Sequence, residues 1–480
     1  MMFILSLIVP IVIGFIACHV FFKGTKKLPF RFMITLAVPF GIGISSFIFI
    51  FLSLLGLSPL LIFLLEVIVL IFVLIKYKKS GIQTPYYISY SFNKLQLDKA
   101  NINPLLLLAT TLYLFSWAMD VGVFYFNTIQ APHGLWDAWS CWNLLAKFIS
   151  RAPNEWPQLF HQMNAVDFHP DYPLLQRGFI ANSWALIGDE TVWIPVISAF
   201  VFTFCTIGLI TSSIRIFNSK IDGLIAGLVL LCTPFFMVMG YSQYADNTVG
   251  FFYLATVVLL TIARGGSTIK PNLLIAAGIA AGLAAYSKNE GLLFIVCLFV
   301  SQLTHLFFKN YRELLTELKF LFLGMLPFLL LIGYQKLIIA PPNQIVSAQG
   351  SQTIAKLSDP ERYQIVVDWF IKQFTEFGKW EFHPWWFFLL GIIFKGVNVK
   401  RNNYSFVSNI TLILLMATGF FFVEIITPLG LVYYLSTSVH RLFFQLFPTF
   451  IFVYFMAING KQTKNLIRWI EKLVLKNTSK

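Results

Sequence analysis

The sequence predicts an all-α fold: a polytopic transmembrane helix bundle of about thirteen spans, with amphipathic juxtamembrane helices in a large first extracytoplasmic loop. Three observations carry this. Of 480 residues, 58% are hydrophobic and only 12% are charged, roughly half the charged fraction of an ordinary soluble domain. The mean hydropathy is +0.75. Apolar runs of about twenty residues recur from end to end, each long enough to cross a bilayer core as a helix. A transmembrane barrel would need strands that alternate polar and apolar residues, and these runs do not alternate.

The runs fall near residues 2–22, 31–54, 58–75, 104–124, 192–214, 221–239, 247–263, 271–286, 291–308, 319–339, 384–396, 405–426 and 441–458. The first lacks a basic leader and a good cleavage site, so it is expected as a retained helix rather than a signal peptide. The five cysteines make no framework: Cys18, Cys205, Cys232 and Cys297 lie in apolar runs and Cys141 stands alone in a loop. There is no CxxC and no Cys/His metal spacing.

Charge assigns the loops to sides. The loops that begin at Lys23, Lys76, Arg215, Arg264, Lys309, Lys395 and Lys461, with their flanking helix edges, hold 25 of the 35 Lys and Arg but 5 of the 21 Asp and Glu. The other side holds 10 Lys and Arg and 14 Asp and Glu, and the remaining two acids, Glu66 and Asp120, fall within apolar runs. Cytoplasmic loops collect Lys and Arg, so the basic loops and the C-terminus are expected in the cytoplasm and the N-terminus outside. The same asymmetry accounts for the net charge of +14 without nucleic acid, which would require a basic soluble surface.

Two long segments, 125–191 and 340–383, then lie outside. Within the first, "YPLLQRGFIANSWALIG" (172–188) is apolar enough to be a span. Counting it as one would put every later basic loop outside, so it is expected as a dipping or horizontal helix on the outer face. Arg177 and Asn182 in its middle fit that placement better than burial in lipid. Within the second, "SDPERYQIVVDWFIKQF" (358–374) reads as an amphipathic helix: Ser358 or Asp359 can cap it, Pro360 suits its first turn and Glu361 its positive end. "NLIRWIEKLVLK" (465–476) reads as a basic helix lying on anionic lipid. The organisation expected is an added three-helix module and cytoplasmic loop over 1–103, a core over 104–460 and a basic amphipathic tail over 461–480.

Charged groups near membrane depth are costly and require a reason. Five polar clusters fall at the expected outer side. "HGLWDAWSCWNLLAKFI" (133–149) carries Asp137 among Trp136, Trp139 and Trp142. "FHPDYPLL" carries His169, Asp171 and Tyr172. "GYSQYADN" carries Asp246 where one span ends and the next begins. "YSKNEG" carries Lys288, Asn289 and Glu290. "STSVHRLFFQLFP" carries His440 and Arg441 at the expected outer end of the last span. Five clusters at one depth suggest a polar cavity there. Plainer readings exist for each. A Trp-anchored interfacial helix, with Ser140, Asn143 and Lys147 on its polar arc, would look like 133–149. Asp246 suits an N-cap, Lys288 and Glu290 suit a mutual ion pair, His169 suits an ordinary surface histidine, and Arg441 could snorkel to headgroups. Cys141 reads as filler. His133 and His161 lie near acids without metal-site spacing. No Walker A, GxGxxG, GxSxG or HExxH motif competes.

With "WDAWSCW" at 136–142, "HPDYPLL" at 169–175, "YAD" at 244–246, "SKNEG" at 287–291 and the "STSVHRLFFQLFP" stretch, residues 104–460 resemble the GT-C glycosyltransferases. That class includes protein O-mannosyltransferases and the transferase that adds aminoarabinose to lipid A, and the nearest likeness is to uncharacterised bacterial members. The resemblance implies a glycosyltransferase of the bacterial cytoplasmic membrane with its site on the extracytoplasmic face. It implies a polyprenyl-phosphate sugar donor and a glycan, lipid or protein acceptor. It implies Asp137 as catalytic base and catalytic importance for Asp246. The substrate contacts expected are His169, Asp171, Tyr172, Lys288, Asn289, Glu290, His440, Arg441 and the three tryptophans. The usual second acid after the base is absent, because Ala138 follows Asp137, which argues against a metal-bridged acid pair there; no cofactor is certain, and a divalent metal is left open but not indicated. Residues 1–75 have no counterpart in the shared core. The sequence leaves two alternatives: a secondary transporter, which would show repeated halves and paired broken helices, and a non-catalytic assembly subunit of an envelope-polysaccharide system.

Overall fold

The computed structural model describes residues 1–23, 25, 28–79, 86–87, 103–163, 168–265, 270–308, 310–342, 350–380, 384–397 and 403–458. The expected helix at 465–476 and most of the loop after Lys76 lie outside these residues.

The described chain is nearly all helix. Its helices are α1 Met2–Phe21, α2 Phe30–Leu54, α3 Pro59–Lys79, α4 Pro104–Gln130, α5 Asn143–Arg151, α6 Trp156–Gln162, α7 Leu175–Ile187, α8 Trp193–Phe217, α9 Lys220–Leu231, α10 Pro234–Tyr241, α11 Ala245–Arg264, α12 Pro271–Ser287, α13 Glu290–Gln302, α14 Tyr311–Tyr334, α15 Gly350–Leu357, α16 Pro360–Glu376, α17 Pro384–Lys395, α18 Asn403–Ile426 and α19 Leu431–Ala457. The strands Leu28–Pro29 and Tyr86–Tyr87 form one parallel pair.

Every apolar run expected as a span is helical. Ten of the described helices are long and apolar enough to cross a membrane. An eleventh candidate is α9 with α10, bent by 67°. Its break falls before Pro234, which cannot continue the hydrogen bonding of α9, and Thr233 Oγ1 donates back to the Val229 carbonyl at 2.6 Å. The two remaining runs make shorter apolar helices, Pro271–Ser287 and Trp385–Lys395.

Local chemistry sets several boundaries. Asn103 caps α4, its Oδ1 accepting from the Leu105 and Leu106 amides at 3.0 and 3.1 Å, with Pro104 in the first turn. Asp359 caps α16 through the Glu361 amide at 3.0 Å, as the sequence of that amphipathic segment suggests. The last helix begins ten residues before its expected start, at Leu431. Its polar opening turns are accommodated internally: Ser436, Thr437 and Ser438 donate to the carbonyls of Tyr433 and Tyr434, the local bonding that lets hydroxyl side chains sit within helices. His440 and Arg441 are therefore not at the end of α19. They lie about 15 Å along it at 1.5 Å per residue.

The segment 172–188 also departs from expectation. Its helix α7 is too short to span, and Leu175 to Trp184 are all buried. It is an interior helix packed on α2, α5 and α8 rather than a surface one. Ser46 of α2 donates to the Leu175 carbonyl at 2.6 Å, and the main-chain and side-chain partners described below satisfy Arg177. The first two helices, expected in an added module, pack through α7, α8 and α12 into the same hydrophobic core as the later ones.

Close helix approach depends on small residues. A Cβ on Gly278 of α12 would overlap the Leu321 carbonyl of α14. Away from the cluster-bearing end, α11, α13, α14 and α18 are tied by Glu317. It accepts from Arg264 Nη2 at 2.9 Å and the Tyr404 hydroxyl at 3.0 Å, and Arg264 also donates to Gln302. This packing predicts that Gly278→Ala destabilises the protein by about 1–3 kcal/mol. Gly122→Ala, on α4 with open space around it, should not. Thermal melts of the detergent-solubilised protein check this; equal melting temperatures for the two variants would contradict the close approach.

Candidate active site

The five clusters meet at one end of the bundle. Asp246 occupies the first turn of α11 and is fully buried. Its Oδ1 accepts from Lys288 Nζ at 2.9 Å and Gln445 Nε2 at 2.8 Å, and its Oδ2 accepts from Arg441 Nη2 at 2.6 Å and Nε at 3.2 Å. The third Arg441 nitrogen, Nη1, donates to Asp137 Oδ2 at 2.6 Å. One guanidinium thus joins two aspartates that stand 109 positions apart in the chain. The Arg441 plane also lies 4.7 Å over the Tyr244 ring. Lys288 continues the network to Glu290 Oε1 at 2.6 Å. Burial works to lower the Lys288 pKa, but the carboxylates of Asp246 and Glu290 outweigh it and the net shift is upward.

The loop Lys288–Glu290 links this pole to a second. Asn289 Nδ2 donates to Asp171 Oδ2 at 3.2 Å, and Lys336 Nζ donates to Asn289 Oδ1 at 2.7 Å and to the Asp171 carbonyl at 2.9 Å. Lys336 is delivered by a π-helical turn, Gln335–Ile339, at the end of α14. The adjacent Gln335 donates to the Tyr172 carbonyl at 2.8 Å.

Asp137 is likewise set by a π-helical turn, Ala138–Trp142, which leads into α5. Such turns recur at functional sites because the additional residue re-aims the side chains around it. Here it rotates everything after Trp142. Asn143, expected on the solvent-facing arc with Ser140 and Lys147, is buried and donates to Gln243 Oε1 at 3.0 Å. Trp142 is buried too, 4.9 Å beneath the Arg177 guanidinium and 5.5 Å from the Tyr172 ring. It is closed to a sugar, contrary to the expectation for all three tryptophans. Trp136 and Trp139 are exposed, with ring centroids 4.6 Å apart. The base of the turn is fixed by Gly134 at φ 77, a left-handed position where a Cβ would meet the Ser242 carbonyl at 2.5 Å. The Leu135 amide donates to that carbonyl at 3.1 Å.

Exposure separates the two aspartates. Asp137 retains 33% side-chain exposure against 0% for Asp246. Asp246, wrapped by four donors, is placed to hold two cations rather than to touch a substrate. Asp137 reaches solvent and has a single side-chain partner among the described hydrogen bonds, which leaves one carboxylate oxygen free of the guanidinium.

His169 lies in a turn at φ 48 with its ring stacked 4.6 Å from that of Tyr172. Burial lowers its pKa from the ordinary histidine value, against the opposing pull of Asp171. Arg177, fully buried, holds the turn by donating to the Tyr172 carbonyl at 3.0 Å and the His169 carbonyl at 2.9 Å, and also donates to Cys141 Sγ at 2.9 Å. Cys141 is therefore packed between the two motifs. His440 does not join the ion network. It lies on the adjacent face of α19, 5.3 Å from Phe235.

Sequence reasoning missed Gln445, Lys336, Gln335 and Tyr244. Gln445 follows Arg441 by four residues, one turn along the same face, and that spacing is legible. Lys336 was visible only as a cation at the end of an apolar run. Among the described residues no three His, Cys, Asp or Glu side chains converge as a metal ion would require.

The network predicts that Asp246→Ala, which leaves Lys288 and Arg441 buried without their shared carboxylate, costs about 3–5 kcal/mol. Adding Lys288→Met should restore part of that loss. A double-mutant cycle on melting temperature measures the coupling, and additive losses would contradict a shared network.

The family model for dolichyl-phosphate-mannose-protein mannosyltransferase matches residues 171–334. That segment includes Asp171, Arg177, Asp246 and Lys288–Glu290; Asp137, Lys336 and Arg441 lie outside it. No curated protein and no solved structure matches the chain. The match covers 164 of the 480 residues and is consistent with the GT-C likeness drawn from the motifs, in a chain whose described helices include ten long and apolar enough to cross a membrane.

Proposed function

We propose that the chain transfers a sugar from a polyprenyl-phosphate carrier to an acceptor hydroxyl with inversion, with Asp137 as general base. The observation that carries this reading is the single guanidinium of Arg441 between the half-exposed Asp137 and the buried Asp246. A lipid-linked donor needs a cation at its phosphate, a carboxylate on the acceptor side and a bilayer that holds its tail. Arg441 Nη1 can donate a charge-assisted hydrogen bond to a phosphate oxygen, and Lys288 adds a point charge beside it.

When the donor phosphate enters, it competes with Asp137 for Arg441 Nη1. Asp246 keeps its hold on the rest of the guanidinium, so the cation stays in place while Asp137 is released. Asp137 then takes the acceptor hydroxyl proton as that oxygen bonds to the anomeric carbon. The bond from the anomeric carbon to the phosphate oxygen breaks, its electron pair leaves with the polyprenyl phosphate, and Arg441 and Lys288 stabilise the charge. One displacement with no covalent enzyme intermediate inverts the anomeric centre, as in inverting glycosidases. His169, Asp171, Tyr172, Asn289 and Glu290 line the acceptor side, and Trp136 and Trp139 offer exposed rings at headgroup depth. The Lys and Arg asymmetry of the loops supports a site on the extracytoplasmic face of a bacterial cytoplasmic membrane.

Asp137→Asn should lower transfer from a polyprenyl-phosphate sugar by roughly 10²–10⁴-fold while leaving the melting temperature near that of the parent. The assay follows release of polyprenyl phosphate by purified protein in lipid nanodiscs, supplied with membrane extract as the acceptor source. An Asp137→Asn protein with parental activity would remove the base from this scheme.

A further inference from the structure

The face of α19 that carries Leu435, Ser436 and His440, adjacent to the Arg441 face, borders a second cavity. It is a cleft of about 330 Å³ between α16, α19 and the start of α10. This is near the lower end of the roughly 300–1,000 Å³ typical of small-molecule sites. None of its residues belongs to the ion network. Two aromatic side chains, Trp369 and Phe235, form part of its walls. Each carries a lysine over its ring, Lys372 at 5.4 Å from Trp369 and Lys379 at 5.9 Å from Phe235. The other polar groups on its walls are Gln373, Glu376, Ser436 and His440.

The backbone is bent to make this arrangement. Gly378 and Lys379 are successive left-handed residues, at φ 88 and 55. Lysine rarely adopts that conformation, and such outliers persist where the surroundings impose them. A Cβ on Gly378 would meet the Trp380 ring at 2.7 Å, so the turn requires glycine there. Its result is to carry Lys379 back over the cleft from a chain that has already left α16.

The chemistry of the walls selects a ligand. Aromatic faces stack on the apolar face of a sugar ring, and amide, hydroxyl and imidazole groups hydrogen-bond its rim. Two lysines against one carboxylate leave a single positive charge. That single charge matches a monoanion such as a carboxylate better than a phosphate, which carries about −1.5 to −2 near pH 7. A purely apolar lipid site would not need the lysines.

We propose that this cleft binds the acceptor, a carbohydrate bearing a carboxylate, with Lys372 and Lys379 on its charge and Trp369 against its ring. The word "acceptor" rests on the transferase reading; the binding itself does not. His440 on the cleft wall and Arg441 in the network are consecutive on α19, so a ligand seated here lies one helix face from the reaction. The cleft would then contribute affinity for the acceptor rather than chemistry.

The test uses the full chain in phosphatidylcholine nanodiscs and saturation-transfer NMR. The probes are a glucuronic-acid-containing oligosaccharide, its carboxyl-reduced neutral counterpart, and inorganic phosphate. The proposal expects the acidic oligosaccharide to bind at least about tenfold more tightly than the neutral one. Lys379→Gln and Trp369→Ala should each weaken it about tenfold, and Asp137→Asn should leave it unchanged. These are exposed or half-exposed positions, and melting curves verify that the variants fold. No binding, equal binding of the acidic and neutral oligosaccharides, binding untouched by Lys379→Gln, or displacement of the oligosaccharide by phosphate at equal concentration would each overturn the proposal. Failure here with an inactive Asp137→Asn protein rejects the cleft alone. Binding here with an active Asp137→Asn protein rejects the base alone.

Discussion

A single arginine, Arg441, donates from one face of its guanidinium to the buried Asp246 and from the other nitrogen to the half-exposed Asp137. A charge inside a membrane bundle is tolerable only with partners, and this one draws its partners from two distant parts of the chain. Asp246 anchors it beside Lys288 and Gln445, and Asp137 is the more exposed partner. In the transfer we propose, this division keeps the cation in place while Asp137 gives way to an incoming anion.

The surrounding fold serves that junction. Two π-helical turns position the side chains around it, one at the start of α5 setting Asp137 beside Arg441 and one at the end of α14 setting Lys336 beside Asp171 and Asn289. Arg177 clamps the His169–Tyr172 turn to the helix that bears Asp137. The tight approach of α12 to α14 and the Arg264–Glu317 pair at the far end hold the helices in register without help from the site. The helix ends that carry the polar loops are therefore presented on a rigid frame, as a preorganised site requires.

Much of this was legible from residues alone. Apolar length placed all thirteen helical segments, because lipid leaves no alternative to internal backbone hydrogen bonding. The Asp359–Pro360–Glu361 start of α16 was legible for the same local reasons that fold it. The five clusters were recognisable because intramembrane charge is rare. Other features depend on tertiary partners that a linear reading does not contain. The early start of α19 rests on hydroxyls bonding back to their own helix. The burial of α7 rests on Ser46 and on the fit of Gly178 against Ile50. The burial of Asn143 follows a π-helical turn, and a wheel drawn at 3.6 residues per turn puts that residue on the polar arc. The family match covers Asp171 to Tyr334 and does not include Asp137 or Arg441.

The most direct measurement is a cryo-EM structure of the protein in nanodiscs with a polyprenyl phosphate bound. The account predicts phosphate density against Arg441 Nη1 and Lys288, the Arg441–Asp246 contact intact, and Asp137 released from the guanidinium. Phosphate density elsewhere, with Asp137 still paired to Arg441, would contradict it.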